Sequence, residues 1–507
     1  MNNEFLEKLK EENNFTETEN GALAHKTTLS AVYDMFAFGG AYRKRSDDDC
    51  ILLFKNAYEN NPSLAIKCLF YLRDIRGGQG ERRFFRTCYH WFAKNYPEIA
   101  RKYIELIPEY GRYDDLYSLI DTPLEMDTLD FISKQLKLDL ESLARGENEG
   151  VSLLAKWLKS ENASSPASKY LGNKTREYLK LSHKQYRKAL SALRSRINIV
   201  EKLMSENRWD EIKFDKIPSK AGLIYRNAFA QKDIIAEKYK TFMADRTSKV
   251  NAKSLYPYEI VRQVTSKITN HYPINELHLT ETEREALQKY WDNQNDYLEG
   301  KRNKSLCIVD TSGSMTCSAG SVKPIDVAIS LGMYCAERIG EPFKDYFISF
   351  SERPNLIKVE GTDFADKVFR IYNQNLCANT NLNAVFEMLK DIIVKNDLPA
   401  SSLPETLIVI SDMEIDCGSY LRSKDQAETE MEKIRNEWAM SGLRLPKLVY
   451  WNVDARNNII LDGGSKVTYV SGCSPVIFKS VITGKSGMQL MLDILESDRY
   501  AAIKVEY

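Results

Sequence analysis

An apolar run of strand length that ends in carboxylate and hydroxyl groups constrains this chain most: residues 305 to 315 read SLCIVDTSGSM. Leu306 to Val309 has the composition of a strand buried on both faces. Asp310, Ser312 and Ser314 follow at every second position, so a turn there can aim three hard oxygen donors at one point, which is the chemistry of a divalent-cation loop. The run is one of a series. Strands are expected at 305–309, 346–349, 406–410, 447–451 and 466–470, alternating with helices at 324–338, 382–394, 425–438 and 486–495. Such alternation predicts a doubly wound α/β domain whose parallel sheet carries its loops at the C-terminal edge, where this loop falls.

The Asp-x-Ser-x-Ser spacing resembles the metal ion-dependent adhesion site of von Willebrand factor A domains. The resemblance implies a Rossmann-like domain holding Mg²⁺ or Mn²⁺, and it implies two further ligands. A Thr from a second loop is matched by Thr380 in CANTNLNAVFEML, and an Asp from a third by Asp412 in LIVISDMEID. On this reading Ser312 and Ser314 bind the ion directly, Asp310 and Asp412 hold it directly or through water, and Thr380 joins in one conformer. A remaining position would accept an acidic oxygen from a partner, either a protein carboxylate or an RNA phosphate. Many family members carry Gly after the third-loop Asp, whereas Met413, Glu414 and Asp416 follow here and add negative charge. Glu414 and Asp416 also raise a hydrolytic reading, which hydroxyl ligands suit less well than paired carboxylates would.

The 507 residues are long for one core and suggest two or three domains. Lys+Arg and Asp+Glu both total 71; this balance excludes a globally basic polyanion binder and leaves room for a local patch. Nine cysteines, odd in number, without a CxxC pair or a nearby His cluster, are expected to be reduced, buried thiols. The N-terminus, MNNEFLEKLKEENNF, has no apolar signal core, and no run approaches the ~20 apolar residues of a membrane span. A soluble, cytoplasmic protein is expected, which weighs against an extracellular adhesion role.

Residues 1–20 are polar and acidic and are expected to be flexible. From there to about residue 300 the pattern is helical: Leu29, Val32, Tyr33 and Phe36 recur at three- and four-residue steps. Helix after helix with short loops predicts an all-helical, HEAT-like array over 21–300, followed by the α/β domain over 301–507. The stretches ENGALAHKTTLSAVYDMFAFGGAYR, FYLRDIRGGQGERRFFR and IPEYGRYDDLYSLI resemble the uncharacterised DUF2828 family over most of the chain. That family is itself similar to the TROVE module of Ro ribonucleoproteins, in which a ring of helical repeats closed by a von Willebrand A domain binds small noncoding and misfolded RNA. The order here, helices first and metal-type domain last, is the same.

Charge segregates between Ser152 and Arg262, where 24 Lys and Arg stand against 11 Asp and Glu. Its densest part places Lys169, Lys174, Arg176, Lys180, Lys184, Arg187, Lys188, Arg194 and Arg196 among Tyr170, Tyr178, Tyr186 and His183. Cations neutralise phosphates and aromatic faces stack unpaired bases, so this composition suits single-stranded RNA. The alternative is a solvated face, because Tyr178, Leu181, Leu190, Leu193 and Ile197 fall near helical spacing and could form a buried stripe. A second candidate is RDIRGGQGERRFFR. Its glycines could expose N–H groups to a phosphate, with Arg76, Arg82, Arg83 and Arg86 forking onto it, or it could be one helix end and the next helix start. Arg112 beside Asp114 and Asp115 reads as an intramolecular ion pair, and the five histidines show no ligand or catalytic spacing.

Three readings follow. The favoured one is a non-enzymatic, Ro-like RNA-binding protein, taking single-stranded, misfolded or small noncoding RNA on the basic helices. The second is a scaffold whose metal site captures a partner protein's carboxylate without RNA, and the third is an enzyme acting on RNA.

Overall fold

The computed structural model describes residues 9–10, 12–147, 150–196, 200–271, 274–298, 300, 303–317, 322–350, 353–374, 380–416, 429–464, 467–481 and 485–504. Helices dominate the first part: α1 (Ala31–Phe38), α2 (Asp47–Asn60), α3 (Pro62–Arg73), α4 (Arg82–Asn95) and α5 (Glu125–Arg145). They are followed by α6 (Pro166–Tyr178), α7 (His183–Arg196), α8 (Ser219–Gln231), α9 (Asp233–Ala244), α10 (Pro257–Thr265) and α11 (Glu281–Asp292), with shorter helical turns between. Local chemistry sets several boundaries. At α2, Ser46 and Asp49 cap each other's backbone N–H groups, and at α3 the Asn61 side chain caps a helix that opens with Pro62. Two antiparallel hairpins interrupt the expected all-helical run: β1 (Phe15–Glu17) with β2 (Leu23–His25), and β3 (Ile268–His271) with β4 (Ile274–Leu277). Their strands of three or four residues are too short to show a period of two in the sequence.

The second part is the expected α/β domain. Its strands are β5 (Ser305–Asp310), β6 (Tyr346–Phe350), β7 (Asn355–Lys358), β8 (Thr406–Ser411), β9 (Lys447–Asn452) and β10 (Val467–Ser471), in the order β10-β9-β8-β5-β6-β7. All neighbours are parallel except the edge pair β6 and β7, and β7 was not legible from the sequence. Around the sheet lie α12 (Pro324–Ala336), α13 (Phe364–Gln374), α14 (Leu382–Lys395), α15 (Glu430–Met440) and α16 (Gly487–Leu495). The chain leaves β5 toward β6 and later returns to its other side with β8, so the topological switch lies between β5 and β8.

Every residue of β5 and β8 is buried, and each fully buried Leu, Ile or Val contributes about 1.5–3 kcal/mol. Helix α12 is buried along its whole length, with the sheet on one side and α10 on the other. Gly332 permits this approach: a Cβ there would lie 2.5 Å from the Val309 side chain, so the absence of one seats α12 directly on the strand that delivers Asp310.

The two ends of the helical part meet, and both rest on the α/β domain. At the junction, the Arg43 guanidinium contacts the Glu81 carboxylate and the Cys473 sulfur, while the Tyr256 hydroxyl donates to the Gln79 carbonyl at 3.1 Å. Helix α1 packs on β10, where the Tyr33 hydroxyl receives the Tyr469 N–H at 2.7 Å. On the far side α10 packs on α12, with the Thr265 hydroxyl donating to buried Asp326 at 2.8 Å. The C-terminal turn returns to the helices, where Arg499 forks onto Asp74 at 2.8 and 3.0 Å.

Residues 15–20, expected to be flexible, form an ordered strap. His25 and Ile460 exchange backbone hydrogen bonds at 2.8 and 2.9 Å, and the Thr18 hydroxyl donates to the Ile415 carbonyl at 2.8 Å. A polar segment reads as frayed in sequence because its partners lie about 400 residues away. Among the described cysteines, Cys50, Cys68, Cys88, Cys307, Cys335 and Cys473 are buried and free, as expected, and Cys317 is exposed.

Candidate functional site

The loops after β5 and β8 are brought together by register: Val309 pairs with Ile410, so Asp310 stands beside Ser411. The Asp310 carboxylate accepts the Ser312 N–H at 2.9 Å and the Ser411 hydroxyl at 2.6 Å. The Ser312 and Ser314 hydroxyl oxygens are 3.0 Å apart, and Ser314 donates to Asp412 Oδ2 at 3.1 Å. Asp310, Ser312, Ser314 and Asp412 thus converge. Burial, and then the neighbouring Asp412 carboxylate, push the Asp310 carboxyl above the usual carboxylate range, the response of an acid confined in a field that favours a cation.

Thr380 is buried and attached to the same pole by its backbone. Its N–H donates to Asp416 Oδ2 at 2.6 Å, and its carbonyl receives the Asp416 N–H at 3.0 Å. The acidic residues after Asp412 are therefore engaged in stitching loops together. Glu414 accepts the Glu19 N–H at 2.6 Å and the Asn457 side chain at 2.9 Å, and Asp416 holds Thr380. Sequence reasoning missed Arg456, which donates to Asp412 Oδ2 at 2.8 Å and also contacts Glu19. It lies far from any motif, in the loop after β9.

The donor set suits a hard divalent cation. Oxygens bound cis on an octahedral Mg²⁺ at about 2.1 Å stand about 3.0 Å apart, close to the 3.0 and 3.1 Å edges formed by Ser312, Ser314 and Asp412. Among the described residues no group of three or more His, Cys, Asp or Glu side chains is gathered as a metal cage, so such an ion would rest on hydroxyls as well as carboxylates.

The basic region divides into engaged and free cations. Lys174 is held by Asp121 at 2.9 Å and Glu125 at 2.7 Å, Arg176 by Glu177 and the Leu181 carbonyl, and Arg194 by the carbonyls of Ala155 and Leu158. Arg187 pairs with buried Glu161 at 3.2 Å while remaining half exposed, and Arg196 reaches the Gly146 carbonyl. Lys180, Lys184 and Lys188 are exposed and have no carboxylate partner among the described residues. The apolar stripe exists too, since Tyr186, Leu190 and Leu193 are buried. Tyr186 is therefore unavailable for stacking, and Ile197 lies outside the described residues. Tyr170 is 47% exposed, with its hydroxyl on Asp121.

In the glycine-rich loop the N–H groups turn inward. Gln79 donates to the Tyr71 carbonyl, Gly80 to Asp74 and Glu81 to Leu72. Gly80 has φ +68°, and a Cβ there would strike the Tyr256 hydroxyl, so the glycines serve the junction between the two ends of the helical part. They do not form a phosphate cradle. Arg83 pairs with Asp47 at 2.6 Å, Arg76 donates to the Glu109 carbonyl, and Arg82 is exposed and unpaired among the described residues. Arg112 binds Asp114 through two bonds of 2.9 Å, the expected internal pair.

Fold and pole together define a helical domain fastened to a doubly wound α/β domain with an oxygen-donor cluster at its sheet edge. Residues 18–110 and 158–301 match the family described as a domain of unknown function, DUF2828, and residues 304–498 match a second, DUF7788. The match to DUF2828 is thus confined to the helical part, and the α/β part is similar to the second family instead. The chain is 26% identical to Uncharacterized protein L728 of Acanthamoeba polyphaga mimivirus, over 95% of this chain and 87% of that protein. Among solved structures it is similar to the Ro (RSR) protein of Deinococcus radiodurans, at 14% identity and a TM-score of 0.46, covering 92% of this chain and 99% of that one. Among the described residues no helix is long and apolar enough to cross a membrane.

Proposed function

We propose that this is a Ro-like, non-enzymatic RNA-binding protein of the cytoplasm, taking single-stranded, misfolded or small noncoding RNA on the basic face of its helical part. The observation that carries the reading is the outward face of α7 and the turn before it. Lys180, Lys184 and Lys188 stand there exposed and unpaired while the opposite face is buried. Cations without internal partners are available to neutralise phosphates and release counterions, so affinity should fall as salt rises. At the pole, Asp310, Ser312, Ser314 and Asp412, with Thr380 beside them, would hold Mg²⁺ or Mn²⁺. The bound ion would supply a Lewis-acidic position for an acidic oxygen.

The test is binding of the full chain to a labelled RNA with a single-stranded 3′ tail, at two salt concentrations, with Mg²⁺ and with EDTA, against a blunt duplex. Tail-dependent, salt-sensitive binding is expected, and no binding even at low salt would reject RNA as the ligand.

A second reading, a metal-dependent scaffold for a partner's carboxylate, is favoured by one feature. The Glu19 carboxylate already reaches Arg456 beside Asp412, so acidic side chains suit this pole. Mg²⁺-dependent capture of a protein, unaffected by nuclease, would support it.

A further inference from the structure

Four cations of the helical part gather around two carboxylates. Asp115 is shared by Arg73 at 2.6 Å and Arg86 at 2.6 Å; Asp114 takes Arg86 and Arg112 at 2.9 Å each and has the Lys159 ammonium at 4.0 Å. Both acids are fully engaged, and a further cation, Arg82, one helical turn before Arg86 at the start of α4, has no partner among the described residues. Charge does not balance within the cluster. Partial desolvation, followed by the positive charges of Arg112 and Arg86 and opposed by Asp114, holds the Arg82 guanidinium below its ordinary pKa. An unpaired cation among like charges is stabilised by a bound anion.

Arg112 is fixed for such a role. Its guanidinium lies 3.9 Å from the centre of the Trp157 ring and is held edge-on by Asp114 through Nε and Nη2, which leaves Nη1 free to donate. Lys159, two residues beyond Trp157, is anchored through its backbone by Tyr117 and Tyr186. Tyr186 belongs to α7, and Arg187 beside it holds Glu161. The cluster therefore adjoins α7 on its buried side at Tyr186, with Arg187 and Glu161 at the edge between that side and the exposed lysines.

We propose that Arg82, Arg112 and Lys159 form a phosphate subsite, with Trp157 as the positioning residue behind Arg112, which takes one backbone phosphate of a single-stranded RNA crossing from α7. The inference rests on the RNA reading above and adds residues that reading does not contain. The shared chemistry is a phosphate oxyanion, which a free pyrophosphate would also present, so two probes are needed. The first is a single-stranded RNA 20-mer, titrated over a range of salt into the full chain and into Arg82→Ala. The second is inorganic pyrophosphate, read as the shift in melting temperature of the same two proteins. Arg82 is exposed and unpaired, so its truncation should not lower the melting temperature in the absence of ligand.

Arg82→Ala is expected to weaken RNA binding by about fivefold to tenfold and to reduce the slope of log K against log salt by about 0.7, the value for one phosphate on a single strand. Trp157→Leu should lower affinity by a smaller factor with Arg82 intact. RNA bound by Arg82→Ala with unchanged affinity and slope overturns the subsite and leaves the α7 reading standing. If the natural chain binds no RNA, the RNA reading falls. The assignment to an RNA phosphate falls with it, and an Arg82-dependent pyrophosphate shift would then mark a free-phosphate site in its place.

Discussion

The pole of the α/β domain and the basic face of the helical domain are both polar surfaces, and they are built in opposite ways. At the pole, parallel strands in fixed register deliver Asp310 and Asp412 to one point, and hydroxyls two and four residues after Asp310 complete the cluster. On the helices, cations of identical type and similar spacing have unlike fates. Lys174 is locked between two carboxylates while Lys184 is free. Where the backbone places the groups, spacing in sequence is sufficient to find a site. Where long side chains choose partners from other elements, it is not.

The strongest way to break this comparison is to reverse the free cations. Lys180, Lys184 and Lys188 changed together to Glu should abolish binding of a tailed RNA, a loss of at least about 100-fold at moderate salt, since three favourable contacts become repulsive. Circular dichroism and melting temperature should be little altered, because all three side chains are exposed. Retained affinity would remove α7 from the RNA surface and leave its lysines as solvated groups.

The corresponding change at the pole acts on metal and stability. Asp310→Ala should eliminate the Mg²⁺-induced rise in melting temperature. In the natural chain that rise corresponds to about 2.7 kcal/mol when free Mg²⁺ is 100 times its dissociation constant. An undiminished rise would place the ion elsewhere. Arg456 sharpens the test. Its guanidinium lies on the same Asp412 oxygen that Ser314 contacts, so it already neutralises part of the charge a metal would. Arg456→Gln should lower the melting temperature in EDTA, by freeing the strap at Glu19 and leaving Asp412 uncompensated, and should enlarge the Mg²⁺-induced rise. An equal Mg²⁺ response in both proteins would show that the guanidinium and the ion do not compete.

Legibility in the sequence follows the same division. The sheet was readable because strands such as Leu306–Val309 and Leu407–Ile410 are continuous apolar runs, and all five pole residues were named, Asp310, Ser312 and Ser314 from their spacing after such a strand and Asp412 and Thr380 through the motif resemblance. What no motif announces is how Thr380 is attached to the pole, by a backbone pairing with Asp416. Edge strand β7 was missed because its pattern, three exposed residues around one buried Ile357, carries almost no apolar signal. The strap at 15–20 and Arg456 were missed because their partners lie hundreds of residues or several elements away. The glycine-rich loop was ambiguous for a different reason. Glycines that admit a phosphate and glycines that admit a neighbouring tyrosine have the same sequence, and Tyr256 against Gly80 decides for the tyrosine.

The smallest effect is the most direct check on the division among the cations. Lys174 lies in the densest basic stretch, yet its ammonium is spent on Asp121 and Glu125 and rests 5.2 Å from the centre of the Tyr170 ring. Lys174→Gln should therefore leave RNA affinity within about twofold and cost only about 1 kcal/mol of stability, the upper end for a partly exposed ion pair, read as a small shift in denaturant midpoint. A loss of RNA affinity equal to that of Lys184→Gln would mean that RNA draws Lys174 away from its carboxylates. Internal pairing would then be no guide to which cations this surface offers, and the contrast between a pole fixed by its backbone and a face fixed by its partners would hold only for the unbound protein.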